Sequence, residues 1–288
     1  MGEVWAARDL LAERDVAVKT VGHRGGAGDP PADAASLLRH EAAVTASIDH
    51  VGVVDVHDAG EDGAVAYLVM DLVPGVDLGE ILRDGPVPAA EAVRIAAGVA
   101  DVLAATHRAG TVHGDVKPAN VVVNDEAVVL VDFGAAPSGR DEPFTYGTAH
   151  YMAPEQALSR TLTPAADVYA LGCLLHAALT GRPPFLGDSA LMVLHRHVRE
   201  HPPRLEELAR GIPRELDALV ARLLAKDPRR RGTATQARED LAAVRGSGSL
   251  ERVEPLPAAG DAEQLDPHAT LPAVAMFPGP GEPLPWAA

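Results

Sequence analysis

The chain has 288 residues, 47% of them hydrophobic but only 3% aromatic, so Ala and Val carry the apolar content and a sizeable core is within reach. A formal net charge of −16 argues against broad binding to nucleic acid or to an anionic membrane. The single cysteine, Cys173, excludes an intrachain disulfide and fits a reducing, cytoplasmic setting, and no stretch reaches the roughly 20 uninterrupted apolar residues of a membrane span.

In chain order, residues 5–11 and 16–20 read as paired strands turning near Glu13-Arg14-Asp15. Lys19 closes the alternating run of the second. A Gly/Pro-rich loop covers 22–31, and residues 32–48 read as an Ala- and Leu-rich helix that carries Glu41. Two more strands are expected at 51–58 and 64–72, the latter ending in Met70-Asp71-Leu72. A short helix at 77–83 precedes a long one at 88–109, which Gly110 stops.

The most informative stretch is 111–120, Thr-Val-His-Gly-Asp-Val-Lys-Pro-Ala-Asn. Two β-branched runs follow, 121–123 and 128–131, joined by Asn124-Asp125-Glu126, which reads as a hairpin. The second run delivers Asp132-Phe133-Gly134. A hairpin brings its outer ends together, so Asn120 and Asp132 are expected side by side with Asp115 nearby. Hard oxygen donors in one place suit Mg²⁺.

Further on, a polar segment containing Ser138, Thr145 and Thr148 leads to Ala153-Pro154-Glu155. Thr163-Pro164 supplies a cap and a first-turn Pro for a helix whose apolar positions include Val168, Leu171, Leu174, Leu175 and Leu179, with Asp167 in its first turn. Helices are expected at 191–199, 213–224 and 233–245, the last opened by a Thr233/Gln236 capping box.

At these motifs the chain resembles the protein kinase family, in its bacterial, eukaryotic-like (Hanks-type) serine/threonine branch. His113-Gly114-Asp115, Lys117 and Asn120 match the family's catalytic loop, and Asp132-Phe133-Gly134 its next motif. One motif alone is weak; the ordered set, running to about Arg245, is specific. The resemblance implies an α+β, two-lobed fold. Its first lobe, 1–72, is a small antiparallel sheet with one helix, the family's first strand and the early glycines of its Gly-rich loop being absent. Its second, 73–245, is mainly helical, and 246–288 is a disordered Pro/Ala/Gly-rich tail.

The resemblance also implies roles. Asp115, Lys117 and Asn120 would be catalytic. Gly2, Val4, Ala17, Lys19, Glu41, Met70, Leu72, Val122 and Asp132 would serve ATP, with Glu41 pairing Lys19. Asn120 and Asp132 would hold Mg²⁺, or Mn²⁺ in its place. Thr148 falls at the substrate-docking position of Ser/Thr-directed members. Thr145 is either the regulatory phosphorylation site or an ordinary loop hydroxyl. Glu155 and Arg231 would form a structural ion pair, and Asp167 would bond the backbone of the catalytic loop.

Gly114 stands where the family has an Arg that pairs with a phosphorylated loop residue, so activity is expected to depend weakly on Thr145. The reading is an ATP-dependent serine/threonine protein kinase acting on protein substrates. A homodimer for trans-autophosphorylation is among the partner arrangements it admits. The alternatives are a pseudokinase serving as a nucleotide-binding or scaffold module, and a small-molecule phosphotransferase of related fold. The run Arg229-Arg230-Arg231 is too short, in so acidic a chain, to indicate nucleic acid.

Overall fold

A computed structural model describes residues 2–22, 34–133 and 146–255. Thr145, Gly134, Ser138, most of the 22–31 loop and the tail beyond 255 lie outside the described residues. The chain divides into two compact units.

The first unit is drawn from Met1–Ala43 and Val54–Val73. It holds β1 (Glu3–Asp9), β2 (Arg14–Val21), β3 (Val56–Asp62) and β4 (Val65–Asp71), paired antiparallel in the order β1-β2-β4-β3. Helix α1 (Ala34–Ala46) buries Ala34 and Leu38 against Ala66 and Leu68 of the sheet. The expected strand at 51–58 is corrected. Val51, Gly52 and Val53 form a turn instead, and β3 begins only at Val56 and runs into Glu61 and Asp62. Val51, counted as a strand residue by its apolar character, is 92% exposed.

The second unit takes Val44–Val53 and the chain from Pro74. The segment 44–53 is drawn in by hydrogen bonds. Gly52 N–H donates to His50 Nδ1 at 3.0 Å, so the proton lies on His50 Nε2, which donates to Asp101 at 3.2 Å. Leu130 N–H donates to Gly52 O at 2.9 Å. The unit's elements begin with β5 (Val76–Asp77), α2 (Leu78–Arg83), α3 (Ala89–Arg108), β6 (Val121–Val123) and β7 (Val128–Leu130). They continue with α4 (Tyr146–Ala149), α5 (Pro154–Ala157), α6 (Pro164–Thr180), α7 (Ala190–Arg199), α8 (Arg214–Leu223) and α9 (Ala234–Gly246).

Helix α6 is buried on every side from Ala166 to Leu179, as expected for an apolar helix too short to span a membrane. Among the described residues no helix is long and apolar enough to cross one. Pro164 occupies its first turn, but the Thr163 side chain makes no capping bond; the fixed backbone of Pro164 starts this helix without one. At α9 the expected capping box is complete: Thr233 Oγ1 accepts from Gln236 N–H, and Gln236 Oε1 accepts from Thr233 N–H. Gly110 follows α3 at φ +79°, the left-handed stop that only glycine adopts without strain.

Candidate active site

In the first unit Lys19 stands on β2 opposite Val4, in a register that also faces Ala6 with Ala17. Its Nζ donates to both carboxylate oxygens of Glu41 on α1, at 2.7 and 2.8 Å. The Glu41 side chain is 8% exposed and that of Lys19 17%, so the pair is withdrawn from water without being sealed. A Cβ on Gly2 would lie 2.8 Å from the Thr20 carbonyl oxygen, so β1 can lie this close to β2 only with glycine there. Ala17 and Met70 are buried on paired positions of β2 and β4, and Leu72, just past β4, is 40% exposed.

In the second unit the hairpin brings the catalytic loop and residue 132 together. Val121 pairs with Leu130, and Val131 N–H donates to Asn120 O at 2.9 Å, which sets Asp132 next to Asn120 in the ladder's extension. Asp132 has φ +67°, an uncommon conformation for a non-glycine residue, and one that turns the chain away from the strand direction. Val122 is half-buried on β6.

Asp115, Lys117 and Asn120 converge. Lys117 Nζ donates to Asp115 Oδ2 at 2.7 Å and to Thr148 Oγ1 at 3.1 Å. Asn120 Nδ2 donates to Asp115 O at 2.8 Å and to Asp115 Oδ2 at 3.2 Å. Two consequences follow among the described residues. Both Asp115 side-chain bonds fall on Oδ2, so Oδ1 is the oxygen that could accept a proton. Both Asn120 bonds use its nitrogen, so its side-chain oxygen is the atom that could meet a cation. An amide and a carboxylate on residues set side by side in the ladder are hard oxygen donors of the kind that could hold a small hard cation. Among the described residues no group of three or more His, Cys, Asp or Glu side chains gathers as a metal cage.

The loop is held from behind by groups that the sequence motifs only partly disclose. Asp167, 1% exposed at the start of α6, accepts from His113 N–H at 2.9 Å and from Gly114 N–H at 2.8 Å. This is the backbone contact expected of it. His107 Nε2–H adds a third bond to Asp167 at 2.8 Å, and Gln156 Nε2 donates to Gly114 O at 2.9 Å. Neither has a sequence signal beyond a histidine in a last helical turn and a Gln after Ala-Pro-Glu. His113 itself is fully buried. Its Nδ1 accepts from Asp115 N–H at 3.2 Å, so Nε2–H donates to Val131 O at 3.0 Å and ties the loop to the end of β7. Gly114 sits at φ +80°, where a side chain would be strained. A cavity of about 10 Å³, room for one water, lies beside Gly114, Asp115 and Thr148.

Arg231 and Glu155 form the expected ion pair, at 2.5 and 2.8 Å, with Arg231 fully buried. The guanidinium also donates to the carbonyls of Ala225, Ala165 and Lys226 and lies 4.8 Å from the Tyr169 ring centre. Every direction in which arginine can donate is taken, which is what makes a buried charge tolerable.

Comparison with known proteins shows the family. The model of the protein kinase domain matches residues 1–241. The chain belongs to the protein kinase family. It is 40% identical over 259 residues to the serine/threonine-protein kinase PknB of Mycobacterium leprae, covering 85% of this chain and 41% of that protein. It is likewise 40% identical over 235 residues to PknE of Mycobacterium bovis, covering 79% of this chain and 41% of that protein. This kinase chain therefore spans about two fifths of the length of the curated relatives it matches. Among solved structures, a mutant form of the PknI kinase domain of Mycobacterium tuberculosis superposes with a TM-score of 0.64 at 27% identity, covering 84% of this chain and 90% of that one.

Proposed function

We propose that the chain is an active, ATP-dependent serine/threonine protein kinase. The observation that carries the reading is the convergence of Asp115, Lys117, Asn120 and Thr148 through four hydrogen bonds, with Asp132 set beside Asn120. A scaffold has no physical need for this set. The names of its relatives support the same activity and the Ser/Thr acceptor.

The acceptor hydroxyl attacks the γ-phosphorus, the bond to the β-phosphate oxygen breaks, and ADP leaves. Asp115 Oδ1 orients that hydroxyl and takes its proton. Lys117, anchored on Oδ2, brings positive charge toward the transferred group. Lys19, steered by Glu41, supplies the cation for the α- and β-phosphates, and Val4, Ala17, Val122, Met70 and Leu72 serve the adenine. Asn120 and Asp132 would hold Mg²⁺, with Mn²⁺ as a substitute; the metal supplies neutralisation of phosphate charge. Thr148 would mark where the acceptor residue docks. ATP chemistry and a lone buried Cys173 suit the reducing cytoplasm. Trans-phosphorylation between two copies belongs to the same reading.

The test uses the full chain with radiolabelled ATP, Mg²⁺ and a generic Ser/Thr-containing protein, beside a thermal-shift measurement of nucleotide binding. Label transfer to Ser or Thr is expected. Nucleotide binding without transfer would replace this reading with the scaffold one.

A further inference from the structure

Thr148, within α4, bonds Lys117, and a buried polar chain reaches the backbone just after it at His150. His197, on α7, is fully buried and sits edge-on between two rings, 5.6 Å from the Tyr169 centroid and 4.9 Å from that of Phe185. Its Nδ1 lies 2.8 Å from the Tyr169 hydroxyl and its Nε2 lies 3.1 Å from the backbone carbonyl of His150. A carbonyl only accepts, so the imidazole proton is on Nε2; Nδ1 must then accept, and the Tyr169 O–H donates to it. Lys226 Nζ, 3.4 Å from the same hydroxyl and 4.5 Å from the Phe185 centroid, keeps a donor on the tyrosine oxygen and so favours that direction. The result is a chain of donors running one way, from Lys226 through Tyr169 and His197 to the carbonyl two residues after Thr148. Burial drives the His197 imidazole down to a pKa of about 3 and raises that of Tyr169, so both stay neutral and the direction persists at ordinary pH.

We propose that His197 is a positioning residue for the phosphoryl acceptor: its Nε2–H fixes His150 and, through the turn closed by the Tyr151 N–H to Thr148 O bond, presents Thr148 to Lys117. The inference rests on the kinase reading for what Thr148 does, and on geometry alone for what holds it. It predicts an effect confined to the acceptor side, because none of these groups lies on the strands that carry Lys19.

The test compares the parent with His197→Phe, which keeps the ring packing and loses both bonds, and His197→Gln, whose side-chain amide can still donate to His150. In His197→Phe the KM for a Ser/Thr peptide is expected to rise about fivefold, the effect of one neutral hydrogen bond, with the KM for ATP unchanged. Amide hydrogen exchange across 147–152 is expected to quicken by a similar factor, and His197→Gln to recover most of both. Tyr169→Phe serves if His197→Phe fails to fold. It is expected to quicken the same amides, and nitrogen shifts of His197 should show Nδ1 losing its donor while Nε2 keeps its proton toward the His150 carbonyl. Peptide KM and exchange at parent values in these variants would overturn the proposal. So would an ATP KM that rises in step with that of the peptide, since His197 would then be a general packing residue. Exchange does not depend on catalysis. A parent chain that transfers no phosphate would defeat the kinase reading, and the exchange arm would still decide this one.

Discussion

The two units each contain an ion pair between helix or loop and a distant partner, and the two pairs are built differently. Arg231 and Glu155 in the second unit are sealed: the guanidinium is fully buried and its donors go to one carboxylate and three carbonyls. Lys19 and Glu41 in the first unit use a point-like ammonium, on a strand, with the lysine side chain 17% exposed. A planar fork with every donor committed is a fastening, suited to a site where nothing else must bind. An ammonium paired with a carboxylate and still reached by solvent can serve a ligand. The same contrast separates Asp167, whose carboxylate is consumed by His107, His113 and Gly114, from Asp115, which keeps one oxygen available among the described residues.

The contrast can be broken in order of effect. Arg231→Ala leaves Glu155 buried without its cation and should cost about 3–5 kcal/mol of stability in denaturant unfolding of the chain. If it cost under about 1 kcal/mol, the sealed pair would not be a fastening. Lys19→Met should divide the two roles the other way. Phosphotransfer is expected to fall by roughly 10²-fold or more, while stability falls by no more than about 1–3 kcal/mol. A variant of Lys19 that keeps the parent rate would remove its role in the nucleotide site.

Acid should then act on the second unit through buried histidines. Burial lowers His197 to a pKa of about 3 and His176 to about 4, from an ordinary value of 6.5. Between those values the unfolded chain binds the protons that the folded chain refuses, so stability rises with pH across that window and levels off above about 6.5. Each histidine contributes up to about 1.4 kcal/mol per pH unit there. Denaturant titrations from pH 4 to pH 8 should show that slope, and His197→Phe should shallow it. The smallest effect is expected at Thr145. Gly114 offers no guanidinium to a phosphorylated loop residue, so Thr145→Ala should change the rate little, by less than about twofold, and a large loss with folding intact would refute that inference from Gly114.

Much of this was legible in the sequence because the informative residues are neighbours in it. The 111–132 stretch carries the loop, the hairpin and the acidic residue within one local motif, and β-branched runs 121–123 and 128–130 fix their own register. Helix α6 was legible from its unbroken apolarity and the Thr163-Pro164 start, although the Thr163 side chain does not cap it. What misled was Val51-Gly52-Val53-Val54, whose apolar character suggests a strand, whereas Gly52 is claimed by Leu130 and Val51 faces solvent. Strand β3 was partly hidden because its far end is acidic. The contacts that no local pattern carries are the long-range ones: His107 to Asp167, Gln156 to Gly114, and His197 to His150 join residues 42 to 60 positions apart. Only packing brings them together.

The sharpest trial of the whole account is the Asp115→Asn chain, assayed for phosphotransfer and for Mg²⁺-nucleotide binding on the same preparation. An amide keeps the shape and can still accept from Lys117, but it cannot take the hydroxyl proton. The account predicts a rate lowered by about 10²–10⁴-fold with nucleotide affinity largely kept. Transfer at the parent rate would contradict it.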